Sequence, residues 1–276
     1  MNKREADARI ASGWLPFQPH LHQVWLPPPR SLLPEGRHRR SELLDRILLA
    51  VHHSPMTALL HGPVGCGKTT LVYDVARELG RPLWMTQGSQ MPPPAALFAA
   101  PFDIAITEDG DSRRQEYQGT ALLSAVVRGG IFFLDELAQT PEASLNVLHE
   151  LLGNRTASWE DCEVGVHPEF TFIAAQNESI DILPTAIADR IETRFEVLPP
   201  ERDLLLKWLR ERVPSEQRLW LGAFDDVFPA TDDPVRTTRR ALSAMRYAIR
   251  SWQHAGSPRL DAAIARTHLE IARVYT

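Results

Sequence analysis

The sequence predicts an α/β fold, a parallel sheet flanked by helices and followed by an all-helical C-terminal part, on three observations. A glycine-rich loop, Gly62-Pro63-Val64-Gly65-Cys66-Gly67-Lys68-Thr69, fits G-x-x-x-x-G-K-[ST] between a strand-like and a helix-like segment. An apolar run, Ile131 to Leu134, passes directly into the acids Asp135 and Glu136. Strand-like and helix-like segments alternate up to the Pro199-Pro200 pair, and helical spacing alone follows it.

Taken in order, residues 1–36 form a proline-rich arm. Pro16, Pro19, Pro27, Pro28, Pro29 and Pro34 forbid a long helix, while Trp14, Phe17 and Trp25 argue for an extended segment packed on its own domain or on a neighbouring subunit. Ser41 to Val51 carries Leu43, Leu44, Ile47, Leu48 and Val51 at helical spacing, with Ser41 as N-cap. Met56 to Leu60 is a short apolar strand, and Thr70 to Leu79 a helix closed by Gly80. Arg81 to Met85 is a second strand. Met91-Pro92-Pro93-Pro94 breaks regular structure, and Phe102 to Tyr117 reads as a hairpin around Asp109-Gly110-Asp111. Ala121 to Arg128 is a helix ended by Gly129-Gly130. Ile131 to Leu134 is a buried strand, and a helix from Pro141 to Leu152 has Thr140 as N-cap. Thr156 to His167 is a further hairpin, Phe170 to Ala175 another strand, and four helices fill the tail between Glu201 and Tyr275. The implied domains are the arm at 1–36, an α/β nucleotide-binding domain at 37–198 and a helical lid at 199–276.

The chemistry follows from the loop. Glycines let backbone N–H groups turn around a phosphate, and the following helix N-terminus adds partial positive charge. Gly62, Pro63, Val64, Gly65, Cys66, Gly67, Lys68, Thr69 and Thr70 are therefore the expected nucleotide contacts. Lys68 reaches the β- and γ-phosphates, and the Thr69 hydroxyl ligates Mg²⁺. Asp135 completes the metal shell and Glu136 polarises the attacking water. Asn177 ends the strand Phe170 to Ala175 either as a water-orienting amide or as a turn residue. Arg190 and Arg194, four apart, fall on one helix face, where either could be a surface ion-pair partner. Arg236, Arg239 and Arg240 open a later helix.

The bulk numbers bound the alternatives. The 276 residues carry 24% charged and 43% hydrophobic residues, ordinary values for a globular chain, and a net charge of −5, which argues against nucleic acid or anionic membrane as partner. The two cysteines, Cys66 and Cys162, form no C-x-x-C pair. No signal-peptide core or membrane span is present, so a cytoplasmic setting is expected. The ten histidines form no H-E-x-x-H, so a protein-bound catalytic metal is not indicated.

From residue 37 to about 252 the order of motifs resembles the AAA+ P-loop ATPases of the MoxR-like branch, which includes the small CbbQ, NorQ and GvpN proteins. The stretch carrying most of the likeness runs from Gly119 to Leu152 and includes, from Gly129, GG-IFFLDELAQTPEASLNVLHELL; FIAAQNE and LPTAIADRIETRFEV follow it. The resemblance implies Asn177 as sensor 1, Arg190 as the finger inserted into the next subunit's ATP, Arg194 as a second candidate, and Arg239 as sensor 2 with Arg236 behind it. It also implies Mg-ATP hydrolysis in a homo-oligomeric ring, a hexamer. The client would be a remodelled protein, such as a partner with a von Willebrand A domain. A nucleic-acid motor or loader, or a slow-turnover ATP-gated scaffold, is the alternative. Glu178 stands where the family often has Pro, and Thr238 where the lid motif usually has one.

Overall fold

The computed structural model describes residues 14–17, 22–30, 42–53, 57–106, 113–159, 162–177, 185–199, 219–228, 234–256 and 259–275. The chain divides into two compact units, one of Met1–His61 with Lys68–Glu196, the other of Gly62–Gly67 with Val197–Thr276.

The first unit is built on a five-stranded parallel sheet. Its strands are β3 (Thr57–His61), β4 (Leu83–Gln87), β7 (Ile131–Asp135), β10 (Thr171–Gln176) and β11 (Thr193–Glu196), in the spatial order β11-β3-β10-β7-β4. The sheet is buried on both faces, as a parallel sheet covered by helices must be: every residue of β10 and the first four of β3 and β7 are buried. Phe132 and Phe172 stack across β7 and β10 with centroids 6.1 Å apart. Around them pack α2 (Lys68–Leu79), α3 (Ala121–Arg128) and α4 (Glu142–Asn154), with α1 (Glu42–His53) against α2. Leu122, Leu123 and Val126 of α3 join Leu145, Leu148 and Leu151 of α4 in one apolar core with the sheet. Thr120 caps α3 by accepting from the Leu123 N–H at 3.2 Å, and Gly129 ends it at φ 70°.

A second, four-stranded sheet joins β1 (Trp14–Phe17), β2 (His22–Trp25), β5 (Ala99–Ile106) and β6 (Arg113–Gly119) in the order β1-β2-β6-β5. The expected hairpin is β5–β6, and β2 runs parallel to β6 beside it. Beyond β2 the proline-rich segment lies along edge strand β4. Leu26 is buried in the core, the Arg30 N–H donates to the Leu83 carbonyl at 2.8 Å, and Trp84 Nε1 donates to the Pro27 carbonyl at 3.0 Å. Prolines that cannot pair along a ladder thus shield a sheet edge. The remaining hairpin is β8 (Thr156–Trp159) with β9 (Cys162–Gly165).

Two local readings change. α4 begins at Glu142 with Pro141 as its N-cap, and Thr140 supplies no capping bond because it closes the preceding 3₁₀ turn, Leu137–Gln139. Arg190 and Arg194 do not share a helix face. The helix there is only α5 (Thr185–Ala188), Arg190 stands in the turn after it, and Arg194 lies in β11. Pairing with β3 decides this, because Phe195 and Val197 are buried and Arg194 and Glu196 exposed, the alternation of a strand.

Within the second unit α6 (Leu219–Val227), α7 (Pro234–His254) and α8 (Ala262–Tyr275) bury Trp220, Phe224, Met245, Ala248, Leu269 and Ala272 together. Asp261 caps α8, accepting from the Ile264 N–H at 2.8 Å. The helices expected before Leu219 lie outside the described residues. The class is therefore as read: a parallel sheet flanked by helices, then an all-helical C-terminal unit.

Candidate nucleotide site

The loop between β3 and α2 has the backbone that its glycines permit. Gly65 and Gly67 sit at φ 82° and 103°, where an L side chain is strained, and α2 starts at the next residue, Lys68. Nothing lies within 4 Å of a Cβ placed on Gly67, so its glycine serves conformation rather than space. Cys66, buried and in no disulfide, donates its N–H to the Pro63 carbonyl at 3.4 Å.

Two contacts then join the first turn of α2 to the ends of two strands. Lys68, only 6% exposed, donates from Nζ to Asn177 Oδ1 at 2.8 Å, just past the end of β10. Thr69 Oγ1 donates to Asp135 Oδ2 at 3.2 Å at the end of β7. The other carboxylate oxygen, Asp135 Oδ1, accepts the Glu136 N–H at 3.0 Å. Glu136 itself adopts a left-handed conformation, φ 57° and ψ 50°, which costs a side-chain-bearing residue about 1 kcal/mol. Its carbonyl accepts from the Gln139 N–H at 2.9 Å.

These residues fit a nucleotide and its divalent ion. A nearly buried ammonium that directly follows a glycine-rich loop in sequence suits phosphate oxygens. A hydroxyl adjoining a carboxylate supplies the hard oxygen donors that Mg²⁺ takes. Among the described residues no group of three or more His, Cys, Asp or Glu side chains forms a self-sufficient metal cage. A divalent ion here would be shared with phosphate, as the pair Thr69 and Asp135 suggests.

The arginines stand elsewhere. The Thr57 hydroxyl donates to the Arg190 carbonyl and accepts the Glu192 N–H at 3.0 Å. Thr57 opposes Phe172, whereas His61 opposes Gln176. Arg190 is therefore anchored at the N-terminal edge of the parallel sheet, roughly 13 Å along the strands from the edge that holds Asp135 and Asn177. Its exposed guanidinium lies against Gly153 in the last turn of α4, where a Cβ would meet Cζ at 3.0 Å. Arg194 is exposed and donates to the Ala188 carbonyl at 3.2 Å. Arg239 falls in α7 of the other unit, and its side chain lies outside the described residues. Thr57 and Gly153 carry no motif. Only their partners in space single them out.

The family pattern for the AAA domain (dynein-related subfamily) matches residues 57–195, half of the chain. The gas vesicle ATPase GvpN of Ancylobacter aquaticus is 28% identical over 165 residues, covering 52% of this chain and 46% of that protein. The Holliday junction branch migration complex subunit RuvB of Clavibacter michiganensis subsp. michiganensis is 31% identical over 157 residues, covering 54% of this chain and 37% of RuvB. The chain thus matches less than half the length of either relative. A solved RuvB variant from Thermotoga maritima superposes with a TM-score of 0.59 at 17% identity, over 89% of this chain and 73% of that one, a likeness of fold.

One expectation falls here. The net charge of −5 argued against nucleic acid, yet this chain shares sequence with a subunit named for Holliday junctions. A whole-chain sum cannot exclude nucleic acid, because phosphate binding needs only a local row of cations. The protein client loses its preference with it. No helix among the described residues is long and apolar enough to cross a membrane. Relatives of both GvpN and RuvB kind make this a distant AAA+ protein related to both groups. With one family's pattern running over the very strands and helices that carry Lys68, Asp135 and Asn177, the chain belongs to the AAA domain family, dynein-related subfamily, and is an ATP-binding, ATP-hydrolysing enzyme.

Proposed function

We propose that the chain is a subunit of a homo-oligomeric, ATP-driven motor acting on nucleic acid, with branched DNA as its substrate class. The observation carrying the ATPase half is the convergence of Lys68, Thr69, Asp135 and Asn177 through contacts of 2.8 and 3.2 Å at one sheet edge. The sequence shared with RuvB supports the nucleic-acid half.

Bound Mg-ATP supplies the phosphoanhydride whose cleavage drives the motor. The N–H groups of Val64 to Thr70 and the Lys68 ammonium would hold phosphate oxygens. Thr69 and Asp135 would hold Mg²⁺, and the Asp135 carboxylate also fixes the Glu136 peptide. Glu136 accepts a proton from the attacking water at its carboxylate, and Asn177 orients that water. Arg190 serves a neighbouring subunit's site, since its anchor lies at the far edge of its own sheet. Arg194 supports the same interface, and Arg239 acts as the helical unit's phosphate sensor.

The test is ATP turnover with and without a synthetic four-way DNA junction, together with junction binding at rising salt. Turnover stimulated severalfold is expected, with binding at about 50 mM salt that weakens by two or more decades by about 200 mM. No binding at the lower salt and no stimulation would overturn the nucleic-acid half and return a protein client to first place.

A further inference from the structure

Strands β4 and β7 pair in parallel with Gln87 opposite Asp135, so the residue that leaves β4, Gly88, arrives beside the residue that leaves β7, Glu136. Gly88 is buried and opens the 3₁₀ turn Gly88–Gln90, its carbonyl accepting the Met91 N–H at 3.1 Å. It is not among the glycines of positive φ, so its own backbone would tolerate a side chain. The space around it would not. A Cβ there would overlap the Glu136 carbonyl oxygen and stand 2.8 Å from Thr140 Oγ1 and 3.0 Å from the Thr140 nitrogen. The first of these neighbours is backbone and cannot rotate away. Thr140 closes the far wall, buried and with its hydroxyl unpartnered.

The Glu136 carbonyl is half of what holds that residue in its left-handed turn, for it accepts from Gln139 while the N–H is tied to Asp135. Pushing the carbonyl out of the crevice turns the Glu136 peptide. An L residue released from the left-handed region relaxes toward extended backbone, which re-aims its side chain. We propose that Gly88 is a positioning residue for Glu136: its missing side chain is the space in which the acid turn closes, and that space sets where the Glu136 carboxylate points. The proposal rests on the reading that Glu136 activates the attacking water, and it predicts a defect in hydrolysis without a defect in ATP binding.

The experiment compares the full-length chain with Gly88→Ala, Glu136→Gln and, as a control, Gly222→Ala, whose Cβ in α6 would meet nothing within 4 Å. Read-outs are kcat, ATP affinity by titration, melting temperature, and the nucleotide retained after rapid desalting. For Gly88→Ala, kcat falls at least about tenfold, toward the 10²-fold that a misplacement of about 1 Å costs. ATP affinity stays within about threefold, and the retained nucleotide is ATP rather than ADP. Gly222→Ala behaves as wild type. Unchanged kcat in Gly88→Ala, or loss of ATP affinity in step with kcat, overturns the proposal. Unchanged turnover in Glu136→Gln instead overturns the reading beneath it, so the two failures are distinct. Should Gly88→Ala not accumulate as folded protein, Thr140→Ala takes its place. It opens the far wall of the crevice without adding an atom, and a twofold to fivefold fall in kcat at unchanged ATP affinity is expected. Unchanged kcat there overturns the proposal equally.

Discussion

The Lys68 ammonium donates to the Asn177 side-chain oxygen at 2.8 Å, joining the first turn of α2 to the end of β10. This contact makes each residue part of the other's placement. Lys68→Ala removes the charge that phosphate oxygens would meet, and turnover is expected to fall at least about 10²-fold together with ATP affinity. Asn177→Ala leaves the charge in place, so kcat falls about 10- to 100-fold while affinity changes little. The double variant should be no worse than Lys68→Ala alone, since residues acting as a unit do not add. Full additivity in steady-state kinetics would show that the contact has no part in turnover.

Thr57 sits at the start of β3, 4% exposed, and its one hydroxyl serves both the Arg190 carbonyl and the Glu192 N–H. Thr57→Val keeps the shape and the strand propensity but orphans both backbone groups. The expected loss is about 1–3 kcal/mol in chemical denaturation, against less than about 0.5 kcal/mol for Thr57→Ser, which retains the hydroxyl. Equal stability of the two variants would mean that the hydroxyl does not hold the Arg190 turn.

The same residue shows what could be read from the sequence. The phosphate loop and the acid pair are local: Gly62 to Thr69 and Ile131 to Glu136 each carry their strand, turn and chemistry in consecutive positions. The arginine segment is not local. Ile187, Ile191 and Phe195 recur every four residues and fit a helix as well as a strand end. What decides is a ladder with β3 and the hydroxyl of Thr57, 133 residues away. Gly88 was unreadable for a related reason. It occupies no position that demands positive φ, so nothing beside it in sequence explains a glycine there. Its cause is the carbonyl of Glu136, brought close only when β4 and β7 pair.

Asp74 on α2 is 3% exposed, with Oδ1 on the Arg77 guanidinium at 2.8 Å and Oδ2 without a hydrogen-bond partner. Burial pushes its carboxyl up to about 6, further than Arg77 pulls it down, and Glu78 adds a small push in the same direction. The folded chain therefore holds this proton at pH values where the unfolded chain has lost it. Its contribution to stability is complete below about pH 4 and is lost as pH rises through about 6. Asp74→Asn does not titrate, so its stability relative to wild type should improve across that window, by about 2 kcal/mol between pH 4 and pH 8. Parallel denaturation curves at the two pH values, with no change in the difference, would count against the buried carboxyl.

Arg190 is exposed, its backbone pinned at the sheet edge opposite Asp135 and its guanidinium laid along Gly153. From there a side chain can complete a site on another copy far more readily than its own, which gives a quantitative expectation for mixed rings. Arg190→Ala doped into wild type at constant total protein should lower ATP turnover faster than its own fraction, because the neighbour's site that each variant subunit silences stalls a ring whose sites fire in turn. Undoped turnover per chain should rise with protein concentration as subunits associate. Gly153→Ala offers a gentler version, since its Cβ would press on the guanidinium rather than delete it. A loss of a few fold, with the same dependence on doping, is expected. Loss in strict proportion to the variant fraction, at a specific activity independent of concentration, would mean that each chain hydrolyses ATP alone and that Arg190 is a surface residue.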